Sequence, residues 1–310
     1  MKPPVFIVNP NAANGAASRL WPGIMEQAKS RLGEFEVRFT ARMGHAVELA
    51  RQAAEDGARL VISVGGDGTM NEVVNGLMGP DDRPVNPDTL VGQICIGTGG
   101  DFRKTTGLPK EHAAALDWLA GEATRTVDVG RLEMIDHQGR PTIRYFINIA
   151  SFGIGGEVDE RVNHTTKVFG GFASFAWGAL SAMIGYKNKK VRVILDDQKD
   201  LGEQAVFSVA VANGRFFGGG MQMAPQADLS DGLFDVVVIG DISLWEKITQ
   251  MPKIYQATHL GHPKIQLHHA RKIVAITEET VLLDVDGEAP GRLPATFAVC
   301  PGAIRIKIHD

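Results

Sequence analysis

Three glycines, an aspartate and a threonine follow a predicted buried strand between residues 60 and 71. The segment reads Leu-Val-Ile-Ser-Val-Gly-Gly-Asp-Gly-Thr-Met-Asn. Glycines at the end of a strand allow positive φ and let a ligand approach bare backbone. The unpaired N–H groups of the next helix suit a phosphate, and Thr69 could cap that helix or donate to a phosphate oxygen. The pattern predicts phosphate binding with Asp67 at its tip; the competing interpretation is a plain turn with Thr69 as N-cap.

Two further loops of small and polar residues also follow predicted strands. Asn9-Pro10-Asn11-Ala12-Ala13-Asn14-Gly15 comes after the first strand, and Ile96-Gly97-Thr98-Gly99-Gly100-Asp101-Phe102 comes after the fourth. In an open α/β sheet these loops meet at one edge, which is the usual ligand crevice. Together with the Gly65–Thr69 turn they predict a nucleotide site.

Other phosphate and dinucleotide signatures are absent or weak. The chain has neither the Walker A spacing nor the protein-kinase motifs. The segment Ser151–Gly156 resembles a dinucleotide fingerprint only superficially, because its third glycine is missing.

The composition is that of a soluble globular protein with room for two domains. The chain has 310 residues, 44% of them hydrophobic, and a formal net charge of −4, which argues against a dedicated nucleic-acid partner.

Cys95 and Cys300 are the only cysteines; both lie in apolar runs, which indicates free thiols in a reducing compartment. The N-terminus does not read as a signal peptide, so we expect a cytoplasmic protein.

One uncharged segment, Val168–Tyr186, is near the length of a membrane span and is followed by Lys187, Lys189 and Lys190. Its Gly, Ala and Ser content favours a buried helix or helix pair. A helix that lines an apolar pocket or touches a membrane surface is the second interpretation, and a transmembrane helix is the third.

The pattern of elements changes near residue 125. Before it, strands alternate with helices, which predicts a parallel sheet covered on both faces. The predicted strands are Val5–Val8, Glu36–Phe39, Leu60–Val64 and Gln93–Ile96, and the predicted helices are Ala16–Leu32, Ala46–Asp56, Met70–Met78 and Glu111–Ala120. After it, short β-rich runs predict an antiparallel sandwich or barrel-like sheet. These runs are Thr126–Val129, Tyr145–Ile149, Val191–Leu195, Ala205–Ala212, Phe234–Ile239, Ile265–His268, Ile273–Thr277 and Val281–Val285.

We therefore predict an α/β N-terminal domain (1–125) and a C-terminal antiparallel β-rich sandwich domain (126–295). The last strand, about Ala303–Ile308, could belong to either half; a C-terminal segment at about 296–310 is a candidate to complete the first domain.

The ordered set of motifs resembles the diacylglycerol-kinase-type lipid kinases, in particular the bacterial soluble group, with sphingosine and ceramide kinases as more distant relatives. The motifs are Asn9-Pro10 with Gly15, Gly65–Thr69, Gly97-Thr98-Gly99 with Asp101-Phe102, and Asp286-Gly287-Glu288. The resemblance spans nearly the whole chain. The glycine turn alone is also similar to NAD kinases and, loosely, to phosphofructokinases.

The resemblance implies an ATP- and Mg²⁺-dependent enzyme with its active site between the two domains. It implies that Asp67 acts on the phosphates or their metal and that Glu288 accepts the proton of a lipid hydroxyl. Nucleotide contacts are implied for Asn9, Thr40, Gly65, Gly66, Asp67, Gly68, Thr69, Asn71, Thr98 and Asp101. A structural magnesium is implied at Asp231 with the backbone carbonyls of Asp228 and Leu233.

Two positions depart from the family pattern. A Ser-Gly-Lys-Gly-like run after Asn-Pro is replaced by Ala12-Ala13-Asn14-Gly15, so a lysine that could neutralise phosphate is missing. Arg19 and Lys104 are candidates to replace it. Gly100 stands where the family favours asparagine.

Read without the resemblance, the carboxylates leave alternatives open. Asp286-Gly287 could be an ordinary hairpin turn. The crowding of Asp228, Asp231 and Asp235 suits either a hard cation or a solvated turn. The histidines between residues 259 and 269 fit no familiar metal motif.

The leading hypothesis is thus a lipid kinase whose partners are a lipid substrate and, transiently, a membrane surface. The alternatives are an NAD kinase and a catalytically weak lipid- or nucleotide-binding protein. A homodimer is left open, and the sequence does not name the acceptor lipid.

Overall fold

The computed structural model describes residues 2–97, 99–158 and 185–309. Thr98 and nearly all of the apolar segment between 168 and 186 lie outside the described residues. Among the helices that are described, none is both long enough and apolar enough to cross a bilayer.

The first part of the chain alternates strands and helices. They are β1 (Val5–Val8), α1 (Ala12–Leu32), β2 (Glu36–Phe39), α2 (His45–Glu55), β3 (Leu60–Gly65), α3 (Asp67–Leu77), β4 (Leu90–Cys95), α4 (Asp101–Thr106) and α5 (His112–Ala120). Strands β2, β1, β3 and β4 pair in that order and all in parallel.

Strands β1 and β3 are buried on both faces, which explains their largely apolar sequence, whereas β2 lies at the exposed edge. Phe6 and Val8 of β1 pack in the cluster that holds Trp21 of α1 and Leu116 of α5. The alternate residues of β1 face the cluster formed with α2 and α3.

The rest of the described chain is mostly strand. The elements are β5 (Thr124–Asp136), β6 (Pro141–Phe146), β7 (Ile149–Gly153), β8 (Lys189–Leu195), β9 (Lys199–Val206), β10 (Ser208–Ala212), β11 (Phe234–Ile239), α6 (Leu244–Tyr255), a 3-10 turn (His259–Gly261), β12 (Ile265–Ala270), β13 (Lys272–Ile276), β14 (Leu283–Val285) and β15 (Gly291–Lys307). One antiparallel sheet has the order β12-β11-β10-β7-β14. Its inner face packs on β5, β8, β13 and β15 through a core that includes Phe146, Phe152, Phe234 and Phe297. The predicted fold class, an α/β half followed by an antiparallel sandwich, is confirmed.

Strand β15 connects the two halves of the fold. It pairs antiparallel with β5 and β13 in the sandwich, and its end pairs in parallel with β4 at Arg305 and Ile306. The large sheet therefore runs from the parallel strands into the sandwich without a break. The division of the chain at residue 125 stays a prediction.

Several predicted boundaries were wrong. The run Tyr145–Ile149 is split between β6 and β7, because the backbone N–H groups of Ile147 and Asn148 donate to the Asp286 side chain. The run Ala205–Ala212 is split at Phe207, whose N–H bonds to Ile239 and Gly240. Helix α3 begins three residues before the predicted Met70, so Thr69 lies inside it, and no side chain caps its start.

Candidate active site

The glycine turn is closed by Thr69. A Cβ built on Gly65 would overlap the Thr69 side chain, so only glycine fits there. Thr69 Oγ1 accepts a hydrogen bond of 3.1 Å from Asn9 Nδ2, and the Asn9 backbone N–H bonds to Val64 O. These contacts join the loop after β1 to the glycine turn.

Asp67 ties the third loop to the same turn. Its Oδ2 accepts from the backbone N–H of Asp101 at 3.0 Å, and its Oδ1 accepts from that of Phe102 at 3.3 Å. A Cβ built on Gly97 would lie 3.1 Å from Gly66 Cα. The three loops therefore meet at one edge of the sheet, and Asp67 holds the start of α4.

Burial raises the pKa of Asp67 above its usual value, although hydrogen bonds from the N–H groups of Asp101 and Phe102 lower it in part. Asp101 is itself buried and accepts from Lys104 Nζ at 2.8 Å and from the Gly219 N–H at 2.8 Å. The crevice thus contains two carboxylates and a lysine already paired with one of them.

Glu288 reaches the glycine turn from the sandwich. It follows β14 in a turn closed by reciprocal backbone bonds with Val285. Its Oε1 lies 3.3 Å from the position that a Cβ on Gly68 would occupy, and Arg144 lies 3.9 Å from its Oε2. Burial raises the pKa of Glu288, the charge of Arg144 lowers it, and the charges of Glu72 and Asp286 add to the rise. The fold therefore brings the two predicted catalytic carboxylates to the same turn.

Asp286 is the residue whose importance the sequence did not reveal. Its carboxylate accepts hydrogen bonds from Asn71 Nδ2 and from three consecutive backbone N–H groups, those of Ile147, Asn148 and Ile149. Burial raises the pKa of the Asp286 carboxyl to about 6, although the four hydrogen bonds lower it. The only local signal is the Asp-Gly pair, and Asp286 indeed has a positive φ of 51°.

The remaining predicted nucleotide contacts are placed differently. Thr40 is buried just beyond β2, with its N–H bonded to Val8 O. The Asn71 amide is directed to Tyr145 O at 2.9 Å and to Asp286 at 2.8 Å. Thr98 is outside the described residues. Nucleotide contact by these three residues stays a prediction.

Both departures from the family pattern occur where the backbone is left-handed. Gly100 has φ 60° and ψ 42°, a region in which glycine and asparagine are the favoured residues, so the exchange preserves the backbone requirement. Ala13, Asn14 and Gly15 all have positive φ. Of the two candidate cations, Arg19 approaches the Gly15 backbone, with Nη1 at 3.6 Å from a Cβ built there, whereas Lys104 is bound to Asp101.

The loop from Asp228 to Leu233 is a turn held by its own side chains. The Asp228 carboxylate pairs with Arg125 and accepts from the Ser230 N–H, and Asp231 Oδ1 accepts from the Leu233 N–H. Across residues 2–97, 99–158 and 185–309, no cluster of three or more His, Cys, Asp or Glu side chains could hold a metal. The Asp228 carboxylate is engaged by Arg125 and Ser230; Asp231 with the backbone carbonyls of Asp228 and Leu233 remains the predicted donor set.

Neither thiol is a ready nucleophile, and two of the described histidines are held by contacts of their own. Burial raises the pKa of both Cys95 and Cys300 to about 11, so the thiolates are scarce at neutral pH. Among the histidines, His259 is buried against Met223 O, and His269 lies 3.2 Å from Asp235.

Comparison with protein families gives two matches that together span most of the chain. Residues 3–132 match the diacylglycerol kinase catalytic domain. Residues 148–308 match the YegS C-terminal NAD kinase beta sandwich-like domain.

Curated relatives carry the name diacylglycerol kinase. One from Staphylococcus epidermidis is 30% identical over 293 residues, which cover 94% of this chain and 87% of the relative. One from Bacillus subtilis is 28% identical over 298 residues, covering 96% and 93%.

Solved structures extend the likeness to the fold. A Bacillus anthracis diacylglycerol kinase has a TM-score of 0.71 at 22% identity, covering 99% of this chain and 97% of its own. A yeast NADH kinase complexed with NADH has a TM-score of 0.52 at 11% identity, covering 99% and 84%.

Proposed function

The chain belongs to the diacylglycerol kinase family of phosphotransferases with an alcohol acceptor, and on this premise we propose that it phosphorylates a hydroxyl of a diacylglycerol-like lipid. The observation that carries the proposal is the position of Glu288: a carboxylate from the sandwich lies against Gly68 of the glycine turn. Donor-binding loops and an acceptor-side base thereby share one crevice.

On the acceptor side, Glu288 takes the proton of the lipid hydroxyl as the oxygen attacks the terminal phosphorus of ATP, the bond to the bridging oxygen breaks and ADP leaves. Phosphoryl transfer is catalysed mainly by positioning and by charge stabilisation, with one residue orienting the nucleophile. A carboxylate whose pKa is raised by burial is a better base near neutral pH than an exposed one.

On the donor side, we assign ATP contacts to the strand-end loops. Among the described residues, no atom outside the chain neighbours of Gly66 lies within 4 Å of a Cβ built there, which supports room for a phosphate at the start of α3. The assigned residues are Asn9, Thr40, Gly65, Gly66, Asp67, Gly68, Thr69, Asn71, Thr98 and Asp101.

Membership of a kinase family implies ATP and typically a divalent metal. Mg²⁺ bound with ATP would neutralise phosphate charge, and the carboxylates of Asp67 and Asp101 offer the oxygen ligands that it prefers. We assign a separate structural magnesium to Asp231 and the carbonyls of Asp228 and Leu233 as a proposal only.

The acceptor resides in bilayers, so we also propose transient contact with a membrane surface by a cytoplasmic protein. The exposed side chains of α6 support this contact, because Leu244, Trp245, Ile248 and Tyr255 are all large, apolar and solvent-exposed.

The test is transfer of labelled phosphate from ATP to a panel of lipids with Mg²⁺ present. The panel holds diacylglycerol, a monoacylglycerol, phosphatidylglycerol, a sphingoid base and ceramide, and NAD is assayed alongside. We expect a labelled lipid from wild type and none from Glu288→Gln or Asp67→Ala. Labelling of NAD alone would make the protein an NAD kinase. Absence of any transfer by folded protein, or activity that survives both substitutions, would refute the proposed site.

A further inference from the structure

The Asp286 carboxylate lies where the two halves of the chain meet. It receives Asn71 Nδ2 at 2.8 Å from helix α3, the helix that begins in the glycine turn. From the other side it receives the N–H groups of Ile147, Asn148 and Ile149 at 3.0, 3.1 and 3.0 Å. Two residues later, Glu288 touches that same glycine turn.

The connection continues around the crevice. Thr105 Oγ1 of α4 lies 3.3 Å from Asn148 Oδ1 and 3.2 Å from Asp101 O. The Asp101 N–H in turn donates to Asp67. Asp286 thus accepts hydrogen bonds from α3 on one side and from the Asn148 backbone on the other. The Asn148 side chain in turn lies beside Thr105 of α4, the helix whose first N–H groups donate to Asp67.

We propose that Asp286, held by Asn71, is a positioning residue that sets the place of Glu288 relative to the donor loops. It does not touch the reacting atoms and acts through Glu288. The inference rests on the proposed function, because it assigns Glu288 the role of base.

The hydrogen-bond donors around Asp286 select a carboxylate at this position. A desolvated carboxylate is costly even when hydrogen-bonded, and Asp286 also adopts a positive φ. Three parallel backbone donors and one side-chain donor call for an acceptor-only group, which a carboxylate is and an amide is not.

The experiment compares Asp286→Asn, Asn71→Ala and the control Asp196→Asn. Asp196 is matched because it also has positive φ and accepts two backbone N–H groups, those of Arg271 and Lys272, but at the β8–β9 turn. We expect Asp286→Asn to lower kcat by about 100-fold, as a small misplacement of a reacting group does. The KM for ATP should stay within about twofold of the wild-type value, because this substitution removes positioning rather than nucleotide binding. Asn71→Ala should act in the same direction but less.

A second readout does not need activity. The charged groups that face Glu288 are Arg144 of β6, Glu72 of α3 and Asp286. Removal of the Asp286 charge should lower the pKa of Glu288. The titration is followed by ¹³C NMR of labelled glutamate carboxyls. The Glu288 signal is identified as the one that is missing in Glu288→Gln. This holds even if wild type phosphorylates no lipid, in which case the proposed function fails and the coupling is still tested.

Either of two results would overturn the inference: a loss of kcat in Asp286→Asn no greater than that in Asp196→Asn, or an unmoved Glu288 titration. If Asp286→Asn does not fold, Asn71→Ala decides, since it keeps the carboxylate and removes its side-chain donor. This variant also loses the contacts of Asn71 with Tyr145 O and Asn75, so the KM for ATP is measured with kcat to separate a lost nucleotide contact from lost positioning. Unchanged kcat in folded Asn71→Ala then counts against the proposal.

Discussion

The groups around Glu288 shift its pKa in opposite directions, and Arg144 is the one that lowers it. Burial and the charges of Glu72 and Asp286 raise its pKa, and Arg144 lowers it. Replacing Arg144 by Gln should therefore raise the pKa further and move the acidic limb of the kcat/KM profile to higher pH. Below that limb Glu288 is protonated and cannot act as a base.

The measurement is the pH dependence of phosphate transfer to a soluble short-chain lipid. Arg140→Gln is the control, because Arg140 pairs with Asp136 in the exposed β5–β6 hairpin. A limb that stays in place, or moves to lower pH, would show that Glu288 does not set it.

Adjacent glycines in the phosphate turn should respond differently to the same substitution. A Cβ on Gly65 overlaps Thr69, whereas a Cβ on Gly66 meets no other described residue within 4 Å beyond its chain neighbours. Gly65→Ala should destabilise the fold by about 1–3 kcal/mol, as overpacking does. Gly66→Ala should leave stability nearly unchanged but raise the KM for ATP, because the methyl group enters the space assigned to phosphate.

Denaturant unfolding and ATP titration of both variants test this pair. Equal stability of the two variants would argue against the clash at Gly65, and an unchanged KM in Gly66→Ala would remove that residue from the phosphate site.

The local sequence was enough to predict the crevice residues that follow strands, but not the hydrogen-bond partners that they find in distant parts of the chain. Asp67 was predicted because a glycine-rich turn marks it, and Glu288 because its Asp-Gly-Glu motif resembles that of the lipid kinases. Asp286 was not, because its partners Asn71 and Ile147–Ile149 lie far away in the chain. The wrong expectation that Thr69 could cap α3 has the same origin: its real partner is Asn9 in another loop.

At the scale of elements, the start of α6 is fixed by hydrogen bonds in its first turn. Ser243 Oγ accepts from the Glu246 N–H, and the Glu246 carboxylate accepts from the Ser243 N–H and from Lys264. Ser243→Ala should destabilise the protein by about 1 kcal/mol, the usual effect of removing an N-cap.

The same turn predicts a pH dependence. The Ser243 N–H, more than Lys264, lowers the pKa of Glu246 to about 2 from its usual 4.5. A depressed carboxyl pKa stabilises the fold above the unfolded value, and this stabilisation is lost as pH falls through the folded value. The deficit of Glu246→Gln in melting temperature should therefore be largest near neutral pH and shrink below about pH 4.5. A deficit that is constant with pH would contradict the cap.

Sequence patterns located most strands but misjudged the elements shaped by tertiary contacts. The buried runs of β1, β3 and β11 were found because burial on both faces leaves only apolar residues. Helix α4 was not predicted; it has only six residues and starts beside the left-handed Gly100. Strand β15 was predicted much too short, because Pro294, Pro301 and Gly302 interrupt its local pattern.

At the scale of the whole molecule, two independent connections join the α/β half to the sandwich around the crevice: strand β15 and the hydrogen bonds of Asp286. The strand carries one sheet into both halves, and the Asn71–Asp286 hydrogen bond joins α3 to the Glu288 turn. Such a scaffold suits phosphoryl transfer, which depends on positioning, and leaves lipid delivery to the outer surface.

Delivery can be tested on α6, whose exposed apolar residues lie on one face. Trp245 is 73% exposed and Ile248 is 47% exposed. Burying a large apolar side chain is worth about 1.5–3 kcal/mol, so replacing either residue by Glu should weaken binding to vesicles containing diacylglycerol roughly tenfold or more. Co-sedimentation measures the binding. Activity on a soluble short-chain acceptor should stay at the wild-type level, because the crevice is untouched.

Met43→Glu is the control, since Met43 is 85% exposed but belongs to the α/β half, between β2 and α2. Vesicle binding that falls equally in all three variants would indicate a non-specific loss of surface hydrophobicity. Binding unchanged in Trp245→Glu and Ile248→Glu would remove α6 from the membrane contact. A drop in soluble-substrate activity would instead indicate that α6 helps to build the crevice. Normal activity on the soluble lipid together with weak vesicle binding would separate delivery of the substrate from the chemistry.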